Sequence, residues 1–187
     1  MFKCLGICGS FRKDGNTGFL LKYCLNKLSE MGVETELIWL CDYDIKPCTG
    51  CRNCLKMGIC TIKDDMTDII IPKLLEADII ILASPVYFNN VTSIMKTFMD
   101  RTWCIRGKLR NKIGGAIVVG RGYGLDNAIT QIHLYMLKHE MIIGHRGVIG
   151  RAYEKGEIKK DKEAIKMCRK LAKRLHELAK LTHKNHV

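Results

Sequence analysis

The chain has 187 residues, 31 Lys plus Arg against 19 Asp plus Glu (net charge +12), 47% apolar residues, only 3 Pro and 10 Cys. That length suits one domain, able to bury about 70% of the surface its unfolded chain exposes, and ordinary apolar content with scarce Pro excludes a disordered or collagen-like chain. No apolar run approaches the ~20 residues of a membrane span, and the first ten residues lack the features of a signal peptide, so a cytoplasmic protein with no membrane attachment is expected.

In chain order, residues 2–8 read as a strand and 17–31 as a helix with Leu20, Leu21, Cys24, Leu25 and Leu28 on one face. The loop between them, Gly9-Ser10-Phe11-Arg12-Lys13-Asp14-Gly15-Asn16-Thr17, opens that helix. A helix N-terminus offers unpaired amides and a positive dipole end. Ser10, Asn16 and Thr17 add side-chain donors and Arg12 adds charge, which suits a terminal monophosphate. The loop is not a Walker A loop, because Asn16 stands where Lys is needed, and Gly6-Ile7-Cys8-Gly9 lacks the dinucleotide glycine spacing. The plainer alternative is a helix merely capped by Asn16 or Thr17.

A second strand is expected over 34–40, followed by a segment without sustained period, 41–65. It carries Cys48, Cys51, Cys54 and Cys60, separated by two, two and five residues, with Gly50 and Gly58 between them. Four thiolates so spaced can converge on one centre. An iron-sulfur cluster, a structural zinc and free or redox-active thiols are the three readings of this run. Cys4, Cys8, Cys24, Cys41, Cys104 and Cys168 are scattered singly and read as packing residues.

Residues 66–77 are helical in pattern, although Pro72 should kink or divide that helix. The continuous apolar run 78–84 is a strand buried on both faces. Its loop, Ser84-Pro85-Val86-Tyr87-Phe88-Asn89-Asn90, offers a flat wall to a planar ring. A helix over 91–101 and a strand over 112–119 follow, then Gly120-Arg121-Gly122-Tyr123-Gly124, whose glycines let backbone amides approach a ligand. A helix over 125–139, a strand over 141–148 and a helix over 158–181 complete the chain. Residues 151–187 hold 12 Lys plus Arg against 5 Asp plus Glu, so this basic C-terminal stretch carries +7 of the +12. It reads as a solvated helix face or as a surface that steers acidic partners.

Five strands alternating with helices predict an α/β, doubly wound, five-stranded parallel sheet in one domain over 1–187. Ligands of such sheets sit beyond the carboxyl ends of the strands. The phosphate loop, aromatic wall and glycine loop all fall there, and together they describe an FMN site.

In these residues the chain resembles the iron-sulfur flavoproteins of methanogenic archaea and other anaerobes, within the NADPH-dependent FMN reductase group of flavodoxin-like proteins. The resemblance rests on Gly9-Ser10-Phe11-Arg12 with Gly15-Asn16-Thr17, on the four-cysteine run, on Asp64-Asp65-Met66, and on Glu76-Ala77-Asp78 leading into Ser84-Pro85-Val86-Tyr87-Phe88. It implies one FMN and one 4Fe-4S cluster per chain, the cluster ligated by Cys48, Cys51, Cys54 and Cys60. It also implies phosphate contacts from Ser10, Arg12, Asn16 and Thr17 and ring contacts from Pro85, Val86, Tyr87, Phe88 and Asn89. Gly120, Gly122 and Gly124 are the candidates from the third loop, where this chain continues Leu125-Asp126-Asn127 and the family more often has paired glycines and Gln-Glu. The implied activity is electron transfer between a one-electron carrier, a ferredoxin or similar acidic protein, and an acceptor, in a homodimer or homotetramer. An NAD(P)H-dependent FMN or quinone reductase with a structural zinc loop is the second reading. A nucleic-acid-binding module is the third, and no nucleic-acid reading motif supports it.

Overall fold

The computed structural model describes residues 1–183; the last four residues of the basic C-terminal stretch, 184–187, lie outside the described residues. Its sheet is parallel throughout and built from β1 (Lys3–Cys8), β2 (Glu34–Trp39), β3 (Ile79–Pro85), β4 (Ile113–Gly120), β5 (Ile142–Ile143) and β6 (Val148–Arg151). The spatial order is β2-β1-β3-β4-β5, with β6 also paired to β4. Gly6 in β1 lies opposite Leu37 on one side and Ile81 on the other. Strand order therefore reverses between β1 and β3, which places a ligand crevice beyond their carboxyl ends.

The single fifth strand expected over 141–148 is two short strands on one edge of β4. Ile113 faces Ile142, and four residues on Ile117 faces Val148. The break is at Gly147, which holds φ 87 and donates its N–H to His145 Nδ1 at 3.0 Å. A residue in the left-handed region cannot continue a strand.

The helices are α1 (Asn16–Ser29), α2 (Asn53–Met57), α3 (Ile71–Glu76), α4 (Ser93–Arg101), α5 (Leu125–Lys138) and α6 (Lys162–His183). α1 and α6 cover one face of the sheet, where Leu21, Cys24, Leu25, Leu28, Leu171 and Leu175 join Ile79, Ile81 and Ile117 in one core. α3, α4 and α5 cover the other, where Leu74, Met95, Phe98 and Ile132 pack on Leu5, Ile7, Ile80 and Leu82. Cys24 and Cys168 sit inside the first core and donate their thiol hydrogens to Cys168 O and Leu20 O, both at 3.7 Å. Burial pushes the Cys8 and Cys168 thiols up to about 12, so these are inert packing groups.

Pro72 divides its helix as expected. A π-helical turn, Met66–Ile70, runs into α3 with Pro72 in the first turn, where its missing N–H costs little. The terminal helix begins at Lys162 rather than at residue 158, after a 3-10 turn, Glu157–Lys160. The stretch from Arg151 to that turn is strand end and loop, and it forms a wall of the cavity described next.

Candidate functional site

Beyond the carboxyl ends of β1, β3, β4 and β6 lies a cavity of about 250 Å³. Ser10, Arg12, Asn16, Thr17, Pro85, Val86, Tyr87 and Gly120 line it. At one end is the N-terminus of α1, whose N-cap is Gly15, with no side chain to cap the first-turn amides. Those amides and the helix dipole are directed at whatever occupies this end. Ser10 and Thr17 are buried here, and the Ser10 hydroxyl folds the loop by accepting Arg12 N–H at 3.1 Å. Asn16 has another task. Its Nδ2 donates to Glu154 O at 2.9 Å and its Oδ1 accepts Gly156 N–H at 2.9 Å, so it holds the 154–156 loop and offers the ligand its backbone more than its amide.

A buried polar network ties the carboxyl ends of β1 and β3 to the start of α4. Thr92 caps α4 by accepting Met95 N–H at 3.3 Å and donates its hydroxyl to Gly9 O at 2.7 Å. Its own N–H donates to Ser84 Oγ at 3.0 Å, and Ser84 donates in turn to Pro85 O at 2.8 Å. The ends of β1, β3 and α4 are thus joined by two hydroxyls. Hydroxyls placed at a strand end and a helix start were signals available in the sequence.

Of the aromatic loop, Pro85, Val86 and Tyr87 form the wall, and Phe88 and Asn89 do not line the cavity. Tyr87 and Asn90 exchange N–H···O bonds of 2.9 and 3.0 Å across a two-residue turn, with Phe88 at φ 47 and Asn89 at φ 60. A turn with both central residues left-handed reverses the chain tightly and swings Phe88 fully into solvent. Gly122 and Gly124 also lie off the cavity. Gly124 instead packs backbone to backbone on that turn: a Cβ built on it would lie 2.2 Å from Asn89 Cα, at φ +68. Gly124→Ala is expected to cost about 1–3 kcal/mol and to loosen ligand binding by displacing Tyr87, checked by thermal unfolding and flavin titration.

Sequence reasoning missed a fourth wall. Ala152, Tyr153 and Lys155 form it, and Asp14, Gly15, Val119 and Arg121, in or beside loops already named, complete the lining. The guanidinium of Arg121 lies 5.1 Å over the Tyr153 ring, and Lys155 pairs with Asp14, which holds that carboxyl below its ordinary value. Ala152 N–H donates to Gly120 O at 3.0 Å and carries this wall onto β4. The rule that ligands gather after strands pointed to the loop following residues 148–151, but its charge made it read as solvated helix. A cavity with amides, hydroxyls and cations at one end and Pro85, Val86 and Tyr87 along its side fits a flavin phosphate ester.

The cysteine segment leaves β2 through a 3-10 turn, Leu40–Asp42, and contains α2 as its one helix. Gly50, Arg52 and Gly58 hold φ of 67, 60 and 70, so the chain reverses sharply between the thiols. Cys48 and Cys51 are exposed, whereas Cys54 and Cys60 are half-buried against the core. All four are free thiols. The Asn53 backbone N–H, helped by the hydroxyls of Thr61 and Thr49, outweighs desolvation and holds the Cys51 thiol below its ordinary pKa, favouring the thiolate that ligates metal. The donor set is therefore that of a thiolate-bound centre. Its sulfurs are not gathered: among the described residues no three Cys, His, Asp or Glu side chains stand at metal-holding separations. Thiolates repel one another without a cation among them, so occupation and closure of such a loop are coupled.

The neck of that segment rests on a buried ion pair. Arg101 Nη1 lies 2.5 Å from Asp64 Oδ2, with both side chains fully shielded from solvent. Burial alone would raise the Asp64 pKa, but the Arg101 guanidinium and the Lys46 N–H outweigh it and hold the carboxyl below its ordinary value.

The NADPH-dependent FMN reductase family model matches residues 2–153, a span that includes the cysteine segment and the cavity walls through Tyr153. An iron-sulfur flavoprotein of Methanocaldococcus jannaschii is 42% identical over 97% of this chain and 100% of its own length. One from Methanosarcina thermophila is 34% identical over 98% of each chain. Among solved structures, a flavodoxin from the domain Archaea shares the fold with a TM-score of 0.65 over 96% of this chain and 99% of that one, at 17% identity. Matches of this extent establish the kinship: the chain belongs to the NADPH-dependent FMN reductase family and, within it, to the iron-sulfur flavoproteins, and it is a flavoprotein oxidoreductase.

Proposed function

We propose that this protein transfers electrons between a one-electron carrier, a ferredoxin or similarly acidic protein, and an acceptor, using FMN in the cavity and a 4Fe-4S cluster held by Cys48, Cys51, Cys54 and Cys60. The observation that carries the reading is the placement of two sites on neighbouring strands. The phosphate loop leaves β1 and the four-thiol segment leaves β2, both from carboxyl ends, and Lys13 Nζ joins them through Asp42 Oδ1 at 2.6 Å. Flavin supplies one- and two-electron exchange and a cluster supplies one-electron exchange, so the pair couples the two kinds of carrier.

The chain's own residues do the rest. The α1 amides, Ser10, Thr17 and Arg12 hold the phosphate, Gly120 lets the backbone come close, and Tyr87 with Val86 and Pro85 shields one side of the ring. The domain works as one unit over residues 1–187, with 41–65 as its cluster-binding loop. Exposed Phe11, Phe88, Tyr123 and Tyr153 stand on the loops that build the cavity, a concentration of aromatic surface suited to burial by a second copy in a dimer or tetramer. On the cysteine loop, exposed Leu55, Met57 and Ile59 alternate with Arg52, Lys56 and Lys63, an apolar patch with a basic rim.

That patch and the +12 charge favour an acidic donor. Reduction of the flavin by an acidic ferredoxin is expected to slow at least tenfold between about 10 mM and 500 mM salt, measured by stopped-flow absorbance, because the Debye length shrinks from ~30 Å to under ~5 Å. A rate indifferent to salt, alongside fast reduction by NADPH, would overturn the choice of donor.

A further inference from the structure

Among the described residues the largest fully buried side chain is a cation, Arg101, at the end of α4. A buried ion pair is weak grounds for stability, since desolvation of both charges offsets their attraction. Its hydrogen bonds suggest another role. Arg101 Nη1 donates to Lys46 O at 2.6 Å and to Asp64 Oδ2 at 2.5 Å, and Nη2 donates to Asp64 Oδ1 at 2.9 Å. Asp64 Oδ2 also accepts Lys46 N–H at 2.9 Å. One step outward, Asp44 N–H donates to Asp65 Oδ2 at 2.7 Å and Asp65 N–H to Asp44 O at 3.2 Å.

Lys46 stands two residues before Cys48, and Asp64 stands four after Cys60. These bonds therefore close the neck of the segment that bears the four thiols. Inside the neck, regular structure is confined to α2. Ordering a loop around a metal centre costs chain entropy, and a closed neck removes part of that cost before any metal arrives. The guanidinium suits the task, because its rigid planar fork holds both oxygens of the Asp64 carboxylate while also donating to the Lys46 carbonyl, a fixed geometry that the point charge of a lysine does not impose.

We infer that Arg101 and Asp64 are positioning residues for the metal centre, clamping both ends of the cysteine segment to the C-terminal end of α4. The inference rests on the cluster reading above, extends it to residues that touch no metal, and can fail separately from it.

The test compares holo-protein, purified without oxygen, with Arg101→Lys and with the charge-free double variant Arg101→Met/Asp64→Leu. The double variant is chosen to avoid leaving one buried charge alone. Iron release to a ferrous chelator is expected to be at least tenfold faster in the double variant and intermediate in Arg101→Lys, with altered g-values of the reduced centre and unchanged flavin content. Wild-type release rates and g-values in a folded, flavin-bound double variant would overturn the clamp. If the double variant does not fold, Arg101→Lys alone decides, by the same readouts. A wild type that carries flavin and no iron would instead overturn the cluster reading. The neck itself would then be judged by hydrogen exchange at the Lys46 and Asp65 amides, expected at least tenfold faster in Arg101→Lys; unchanged exchange would remove the clamp as well.

Discussion

Serine in place of Cys54 is expected to leave the protein folded and flavin-bound with less than about a tenth of its iron. Cys54 is the second residue of the five-residue α2 and is half-buried against the core. Serine is nearly isosteric, so the turn survives, but its hydroxyl is a hard, protonated donor where a soft thiolate is needed. Changes to groups that merely orient a ligand already cost 10–100-fold in metal affinity, and losing a ligand costs more. Cys24→Ser is the control. Cys24 is fully buried between α1 and α6, far along the chain from the segment, and its thiol donates to Cys168 O. Introducing a hydroxyl there should cost about 1–2 kcal/mol of stability and leave iron per chain unchanged. Iron analysis with thermal unfolding checks both. Equal iron loss in the two variants would show that the metal depends on the fold at large, not on the Cys54 sulfur.

Asp in place of Gly15 should abolish flavin binding at micromolar concentrations while sparing the fold. Gly15 is the N-cap of α1, with φ −79 and ψ 173, an extended conformation open to any residue. A Cβ there would lie 3.0 Å from Arg12 O, in an exposed loop able to yield a few tenths of an ångström. Asp is a favoured N-cap and its carboxylate complements the helix dipole, so α1 gains a partner for its orphan amides. Those are the amides that the phosphate needs. Losing two charge-assisted hydrogen bonds and gaining a like charge corresponds to about 3–5 kcal/mol, or roughly 10²–10⁴-fold in Kd. Fluorescence titration of the apo-protein with FMN reads the affinity, and an undiminished melting temperature shows that the fold stands. Wild-type affinity in Gly15→Asp would mean that the phosphate lies elsewhere.

The parts of this architecture written as periodicity were legible in the sequence. Continuous apolar runs gave β1, β3 and β4, and the four-residue spacing of Leu21, Leu25 and Cys24, Leu28 gave α1, because burial on a sheet selects those residues directly. What escaped depended on backbone reversals and on long-range partners. A left-handed Phe88 is foreign to a bulky side chain's own preferences, so nothing local announced that the turn would aim it outward and leave Tyr87 as that loop's aromatic on the wall, beside Pro85 and Val86. Gly147 divided the last strand for a similar reason. The residue type of Asn16 suggests a phosphate donor, whereas the partners of its side chain lie 138 and 140 residues away, beyond the reach of any local pattern. The Arg101–Asp64 pair spans 37 residues, and in the sequence Asp64 was visible only as part of a family motif, with no partner assigned. The thiols are legible as donors by type and spacing, and among the described residues they are not gathered at metal-holding separations.

The most direct measurement is iron, acid-labile sulfide, zinc and flavin per chain in protein purified without oxygen. The account predicts about four irons, four sulfides and one FMN for each chain, with negligible zinc. Stoichiometric zinc, or a flavin-loaded protein free of iron and sulfide, would contradict it.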